Sequence, residues 1–324
     1  MVQTNLFLKQ IGQTILGVHP SLERFIRNQY QSYRLRAIKR YQKPNYVYFW
    51  NGRREQKKTG LFLRGGCDVP AAFNCESLIQ PHLKGSCAIF KSGIGASSSQ
   101  SQILLQTLQE WPAETLQPTL EKLKLKPAYF KPTLFDKNFT IETPFGPQTM
   151  PKSVVILSAG PDMIRTVYRH RQYGFYIDPG GWWLNQSMDK VLKDMSAALW
   201  FAKTFEKVGL ITVTQFGEQF GRLVRLVQEK TGAYVLVFNV FGVDPRNPIT
   251  NYRQAPHDPI LRRREFNLAL YDLSHQLNFS IVDIDRIFKQ EGCPDGIDYA
   301  HWPPELFPPV AKEITRILHE QEII

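Results

Sequence analysis

Two short stretches carry the residue types from which nucleophilic catalysis is built. Asp298-Tyr299-Ala300-His301 sets a carboxylate three residues before an imidazole. At that spacing the acid can accept from one ring nitrogen and leave the other free as a base. Leu61-Phe62-Leu63-Arg64-Gly65-Gly66-Cys67 ends a short apolar run on two glycines and a thiol. The glycines permit a tight turn, and a histidine near Cys67 would lower its pKa or take its proton. A free cysteine at a strand end is also an ordinary small buried side chain. Ser158 and the run Ser97 to Ser99 offer hydroxyls as alternative nucleophiles, the run also suiting a helix N-cap.

The elements that must position these groups are legible. Apolar runs at Leu61, Ser86, Ser153, Ala233 and Phe279 alternate with helical patterns. Continuous apolar strands between helices mark a parallel sheet buried on both faces, so the expected class is α/β, a three-layer α/β/α sandwich on five parallel strands. One helix carries Ile103, Leu104, Leu108 and Trp111 on a stripe. A second carries Phe216, Phe220, Leu223, Val224 and Val227 and stops at Gly232 as a C-cap. Segments 264–278 and 306–320 supply two more, and insertions near 112–151 and 168–209 exceed what a crossover needs. Trp182 and Trp183 in the second insertion suit a lid over an acyl chain or sugar, or a cover for a sheet edge.

This order of elements resembles the SGNH (GDSL) hydrolase family, over roughly residues 60 to 320. The family ends on an Asp-x-x-His loop between the fifth strand and a last helix, where Asp298 and His301 stand. Its nucleophile follows the first strand, where Cys67 stands in place of serine. Its second block is similar to "AIFKSGIGASSSQSQILLQTL", with Gly95 or Gly93 as the oxyanion glycine. Its Gly-x-Asn-Asp block corresponds to Ala159, Gly160, Pro161 and Asp162, with Pro161 or Asp162 at the asparagine position. The resemblance implies a flavodoxin-like strand order and acyl transfer through a covalent acyl-enzyme. Cys67 would attack, His301 would shuttle the proton and Asp298 would orient His301. Gly95, Gly160, Asp162, Trp182 and Trp183 would line the oxyanion and substrate site. The expected substrate is an acyl-bearing small molecule, lipid or glycan, and the thiol favours a thioesterase or acyltransferase. The alternative is a scaffold without catalysis that binds an anionic lipid, glycan or nucleic acid.

Composition sets the frame. The 324 residues are 43% apolar and carry a formal charge of +11, which suits an anionic partner. Residues 1–58 read as a basic, aromatic, helical extension before an α/β domain at 59–324. Its cluster from Arg34 to Lys58 fits an anionic membrane surface, or nucleic acid by charge and stacking. The four cysteines have no CxxC spacing, so free thiols in a cytoplasmic protein, with no metal and no cofactor, are expected. His170, His257 and His275 read as loop or helix-surface residues.

Overall fold

A computed structural model describes residues 59–66, 68–73, 87–90, 99–108, 113–123, 125, 141–143, 146–148, 152–178, 188–242, 260–292 and 301–324. The chain divides into two units, Met1–Lys43 and Pro44–Ile324. The first lies outside the described residues, as does the whole basic extension to residue 58.

In chain order the second unit runs β1 (Thr59–Leu63), α1 (Asp68–Ala72), β2 (Cys87–Phe90), α2 (Ser101–Leu108), α3 (Ala113–Lys122), β3 (Ile141–Thr143), β4 (Gly146–Gln148) and β5 (Lys152–Ser158). It continues through α4 (Gly160–Ile164), β6 (Val167–His170), β7 (Tyr176–Ile177), α5 (Met188–Leu192), α6 (Met195–Thr204), β8 (Phe205–Gly209) and α7 (Val213–Thr231). It ends with β9 (Tyr234–Phe238), α8 (Ile260–Leu277), β10 (Ser280–Val282), α9 (Ile284–Gln290) and α10 (Phe307–Glu320).

Five of these strands pair in the order β10-β9-β5-β1-β2, every neighbour parallel. This is a flavodoxin-like order, in the α/β/α sandwich that the strand and helix pattern implies. Side chains alternate across the sheet, as period two demands. Leu61, Leu63, Val154, Ile156, Leu236 and Phe238 face a layer containing α1, α9 and α10. Phe62, Val155, Leu157, Val235 and Val237 face α2, α7 and α8. Both faces are dry, which explains why these strands are apolar without alternation. Helix α7 starts on a capping box between Thr212 and Gln215 and stops at Gly232 with φ +65°, the left-handed turn that glycine adopts without strain.

The second insertion has an architecture of its own. β7, β6 and β8 form an antiparallel sheet over a separate core that includes Val167, Phe175, Phe201 and Phe205. His170 corrects the surface reading: it sits on β6, 7% exposed, ringed by Tyr173, Phe175 and Phe205. Its Nδ1 accepts from the N–H groups of Gln172 and Tyr173, and burial lowers its pKa. The flanking Arg169 and Arg171 disguise it in the sequence, because their charges belong to the outer face and pair with Glu206. His275 is exposed on α8, and His257 lies outside the described residues.

The turn after β1 is built by exclusion. A Cβ on Gly65 would lie 2.3 Å from Val69 Cγ2 and 3.1 Å from Ser158 Cβ, so no side chain fits between the first turn of α1 and the end of β5. Gly65→Ala should therefore shift the backbone and destabilise the fold by about 1–3 kcal/mol, read as a lower urea midpoint at unchanged slope.

Candidate functional site

The C-terminal ends of β1 and β5 meet at a buried polar joint. The Ser158 hydroxyl donates to Asp68 Oδ2 and accepts from the Gly160 N–H at 3.1 Å. Asp68 opens α1, directly after the double-glycine turn. A Cβ on Gly66 would stand 3.0 Å from both Asp68 Oδ1 and Pro161 Cγ. One on Gly160 would stand 3.5 Å from Asp68 Oδ2. The Asp68 carboxyl is thus wedged between the turn that follows β1 and the turn that follows β5.

Burial pushes the Asp68 carboxyl above its ordinary range, against smaller opposing pulls from the Ser158 hydroxyl, the backbone N–H groups of Val69 and Asp68, and the charge of His301. Two consequences follow. His301 lies close enough for its charge to act on Asp68, so the loop before α10 reaches the same edge of the sheet. A carboxyl held toward its neutral form also opposes a neighbouring thiolate or oxyanion less than an ionised one would.

His301 is anchored by the residue that follows it. Trp302 is 2% exposed and packs against Phe238, Phe288 and Phe307 with ring centroids 5.6 to 6.5 Å apart. The indole fills the core beneath β9, which leaves the preceding histidine partly buried at the sheet edge. Sequence reasoning passed over this anchor, although a large aromatic immediately after a candidate base was its signal. It also passed over Asp68 and Arg64. Arg64, 3% exposed, donates from Nη1 to the Leu63 carbonyl, and burial lowers its pKa to about 10. That value keeps a positive charge at the root of the turn at neutral pH.

Asp162 is committed elsewhere. Its carboxyl accepts from the Ser101 N–H at 3.1 Å and from Ser101 Oγ at 2.8 Å, tying the start of α2 to α4. Burial raises its pKa to about 7, against the Ser101 bonds and the charge of Arg262. Gly160 is the first residue of α4, with Pro161 second; proline has no N–H to donate. Ser158 is 2% exposed and uses its hydroxyl in both directions within the joint. Among the other site residues named from sequence, Cys67, Gly95, Trp182, Trp183 and Asp298 lie outside the described residues. No group of three or more His, Cys, Asp or Glu suited to a metal occurs among the described residues. No helix among them is long and apolar enough to cross a membrane.

No family model matches the chain, and no curated protein matches it. Solved structures with a similar chain course include a lipase/acylhydrolase from Enterococcus faecalis, at 12% identity and TM-score 0.42 over 82% of this chain and 96% of that one. A mutant acetyl-xylooligosaccharide esterase from a Geobacillus aligns at 10% identity and TM-score 0.40, over 80% and 93%. Phospholipase A1 from Streptomyces albidoflavus NA297 aligns at 10% and 0.35, over 79% and 98%. The fold is an α/β/α sandwich on a parallel sheet.

The Asp162 titration has a sign that can be checked. Folded, the carboxyl keeps its proton up to about pH 7; unfolded, it loses it near the ordinary value of about 4. Between those values unfolding releases a proton, so rising pH favours the unfolded chain. Asp162→Asn keeps an acceptor for the Ser101 N–H and removes the titration. Between pH 5 and pH 8 wild type should therefore lose more stability than Asp162→Asn, by an amount on the order of a few kcal/mol, in paired urea titrations.

Proposed function

We propose that this protein is an acyl-transfer enzyme, hydrolysing or transferring the acyl group of an ester or thioester through a covalent intermediate on Cys67. The observation that carries this reading is electrostatic. The charge of His301 acts on the Asp68 carboxyl, and Cys67 immediately precedes Asp68 in the chain, which supports pairing that thiol with this imidazole. Ligands of open α/β sheets bind at the carboxyl ends of the strands.

In this mechanism His301 takes the thiol proton, Cys67 Sγ attacks the acyl carbon, and the leaving alcohol or thiol receives the proton from His301. Water or an acceptor then repeats the sequence in reverse on the acyl-enzyme. Asp298 orients the imidazole. The negative oxygen is met by backbone N–H groups at the turn after β1 and at Gly95. Pro161 brings no donor to this set, and loss of one such donor costs about 10² to 10³ in rate. The reading therefore favours an activated acyl thioester over an ordinary ester. The substrate is an acyl-bearing small molecule, lipid or glycan, drawn by the excess of basic side chains.

The missing donor at Pro161 and the commitment of Asp162 to Ser101 favour a second reading, in which the scaffold binds an anionic lipid, glycan or nucleic acid without turning it over. The two readings part on thiol chemistry. For the enzyme, Cys67→Ala and His301→Ala should each lower turnover of p-nitrophenyl acetate and of an acyl thioester by about 10³ or more. Iodoacetamide should label Cys67, located by mass spectrometry, with a pH midpoint below the ordinary value of about 8.5. Turnover preserved in both variants would sink the triad, and an inert thiol with no turnover would favour the binding scaffold.

A further inference from the structure

One oxygen at the joint between the turns after β1 and β5 is left over. The Ser158 hydroxyl has a single proton and gives it to Asp68 Oδ2, while a lone pair takes the Gly160 N–H. Asp68 Oδ1 is shielded from water and has no hydrogen-bond partner among the described residues. The N–H groups of Val69 and Asp68 pull on the carboxyl without reaching bonding geometry at Oδ1. Buried polar atoms are nearly always paired, so an orphan oxygen at the ligand-binding edge of a sheet calls for a function. Its place is defined. The point where a Gly66 Cβ would stand is 3.0 Å from Oδ1 and 3.0 Å from Pro161 Cγ. Oδ1 therefore lies at the seam of the two turns, beside the residue that precedes Cys67.

We propose that Asp68 is a catalytic residue whose Oδ1–H donates to the acyl oxygen as that oxygen turns negative, a role that rests on acyl transfer at Cys67. The turn after β5 leaves the edge short of donors. Gly160 has given its N–H to Ser158, and Pro161 has none. Because Oδ2 accepts from Ser158, a neutral Asp68 carries its proton on Oδ1, and burial holds the carboxyl toward that form. An ionised carboxylate could only accept, and it would repel the oxyanion. The neutral acid donates, and Ser158 holds it in place, so no reorganisation is needed during the reaction. When Sγ bonds to the acyl carbon, the carbonyl electron pair moves onto oxygen and the hydrogen bond from Oδ1 strengthens, the proton staying on Asp68. As the pair returns, the alcohol or thiol departs with the proton that His301 took from Cys67. Asp68 neither gains nor loses a proton over the cycle.

The test separates two reactions of the same thiol. Attack on an acyl group creates an oxyanion, whereas attack on iodoacetamide displaces iodide from a saturated carbon and creates none. Acylation by p-nitrophenyl acetate is followed in a single turnover of the full chain, with acetyl-Cys67 located by mass spectrometry, and alkylation is followed as the labelling rate of Cys67. Asp68→Ala should slow acylation by about 10² to 10³ and leave alkylation within a few-fold of wild type. Asp68→Asn keeps one donor and one acceptor but cannot act as a base. It should acylate to within about tenfold of wild type. Equal loss of both reactions in Asp68→Ala, or loss of neither, would overturn the donor role. A larger loss of acylation in Asp68→Asn would overturn it as well, and this arm decides the matter even if Asp68→Ala does not fold. A wild-type Cys67 that is never acetylated would instead sink the acyl-transfer reading itself, whereas Cys67-dependent acylation indifferent to Asp68 would sink this role alone.

Discussion

The Ser158 hydroxyl donates to Asp68 and accepts from the Gly160 N–H, so one side chain joins the loop that leaves β1 to the loop that leaves β5. The double glycine exists because Val69, Ser158, Asp68 and Pro161 leave no room for a side chain there. The carboxyl is costly to ionise because it is buried, and the hydrogen bond from Ser158 offsets only part of the penalty. A turn that reads in sequence as the signature of a nucleophile is, in its packing, a socket for an acid.

The edge is also unusual in its charges. Arg64, Asp68 and Asp162 are all withdrawn from water, each shifted toward its neutral form by burial. Burial, and not the solvent, therefore sets how readily each of them ionises. Asp162 commits its acceptors to the start of α2, which ties that helix to the turn after β5. Stability of the fold and electrostatics of the site are therefore adjusted by the same few groups.

Much of this was readable in the amino-acid order. The sheet was legible because strands buried on both faces have no polar alternation, and runs such as Ser153 to Ser158 and Ala233 to Phe241 admit few other readings. The cap at Gly232 and the stripe of α7 were legible for the same local reasons. The antiparallel sheet of β6, β7 and β8 was not, because its strands are short and carry Arg169 and Lys207 on exposed positions and Glu206 on a half-buried one. His170 looked solvated beside two arginines, yet its ring lies on the opposite side of the strand. Asp68 and Trp302 were hidden by their neighbours, Cys67 and His301, which drew the chemical reading. What an acid or an indole does beside such a residue depends on packing partners far away in sequence, and no local pattern encodes those.

That separation has a kinetic side. The Ser158 to Asp68 bond closes a loop of 90 residues, and His301 arrives from more than 200 residues beyond Asp68. β1 lies between two strands in the sheet, and its partner β5 emerges only after some 90 further residues have been made. Long closures are slow because chain entropy is lost before contacts compensate for it. A partly folded chain, even one with helices α7 and α8 already formed, would hold none of the assembled site. The acid and the hydroxyl meet only when β1 and β5 are both in place. A buried acid so placed stays an ordinary, solvated carboxyl until the strands on either side of it have met.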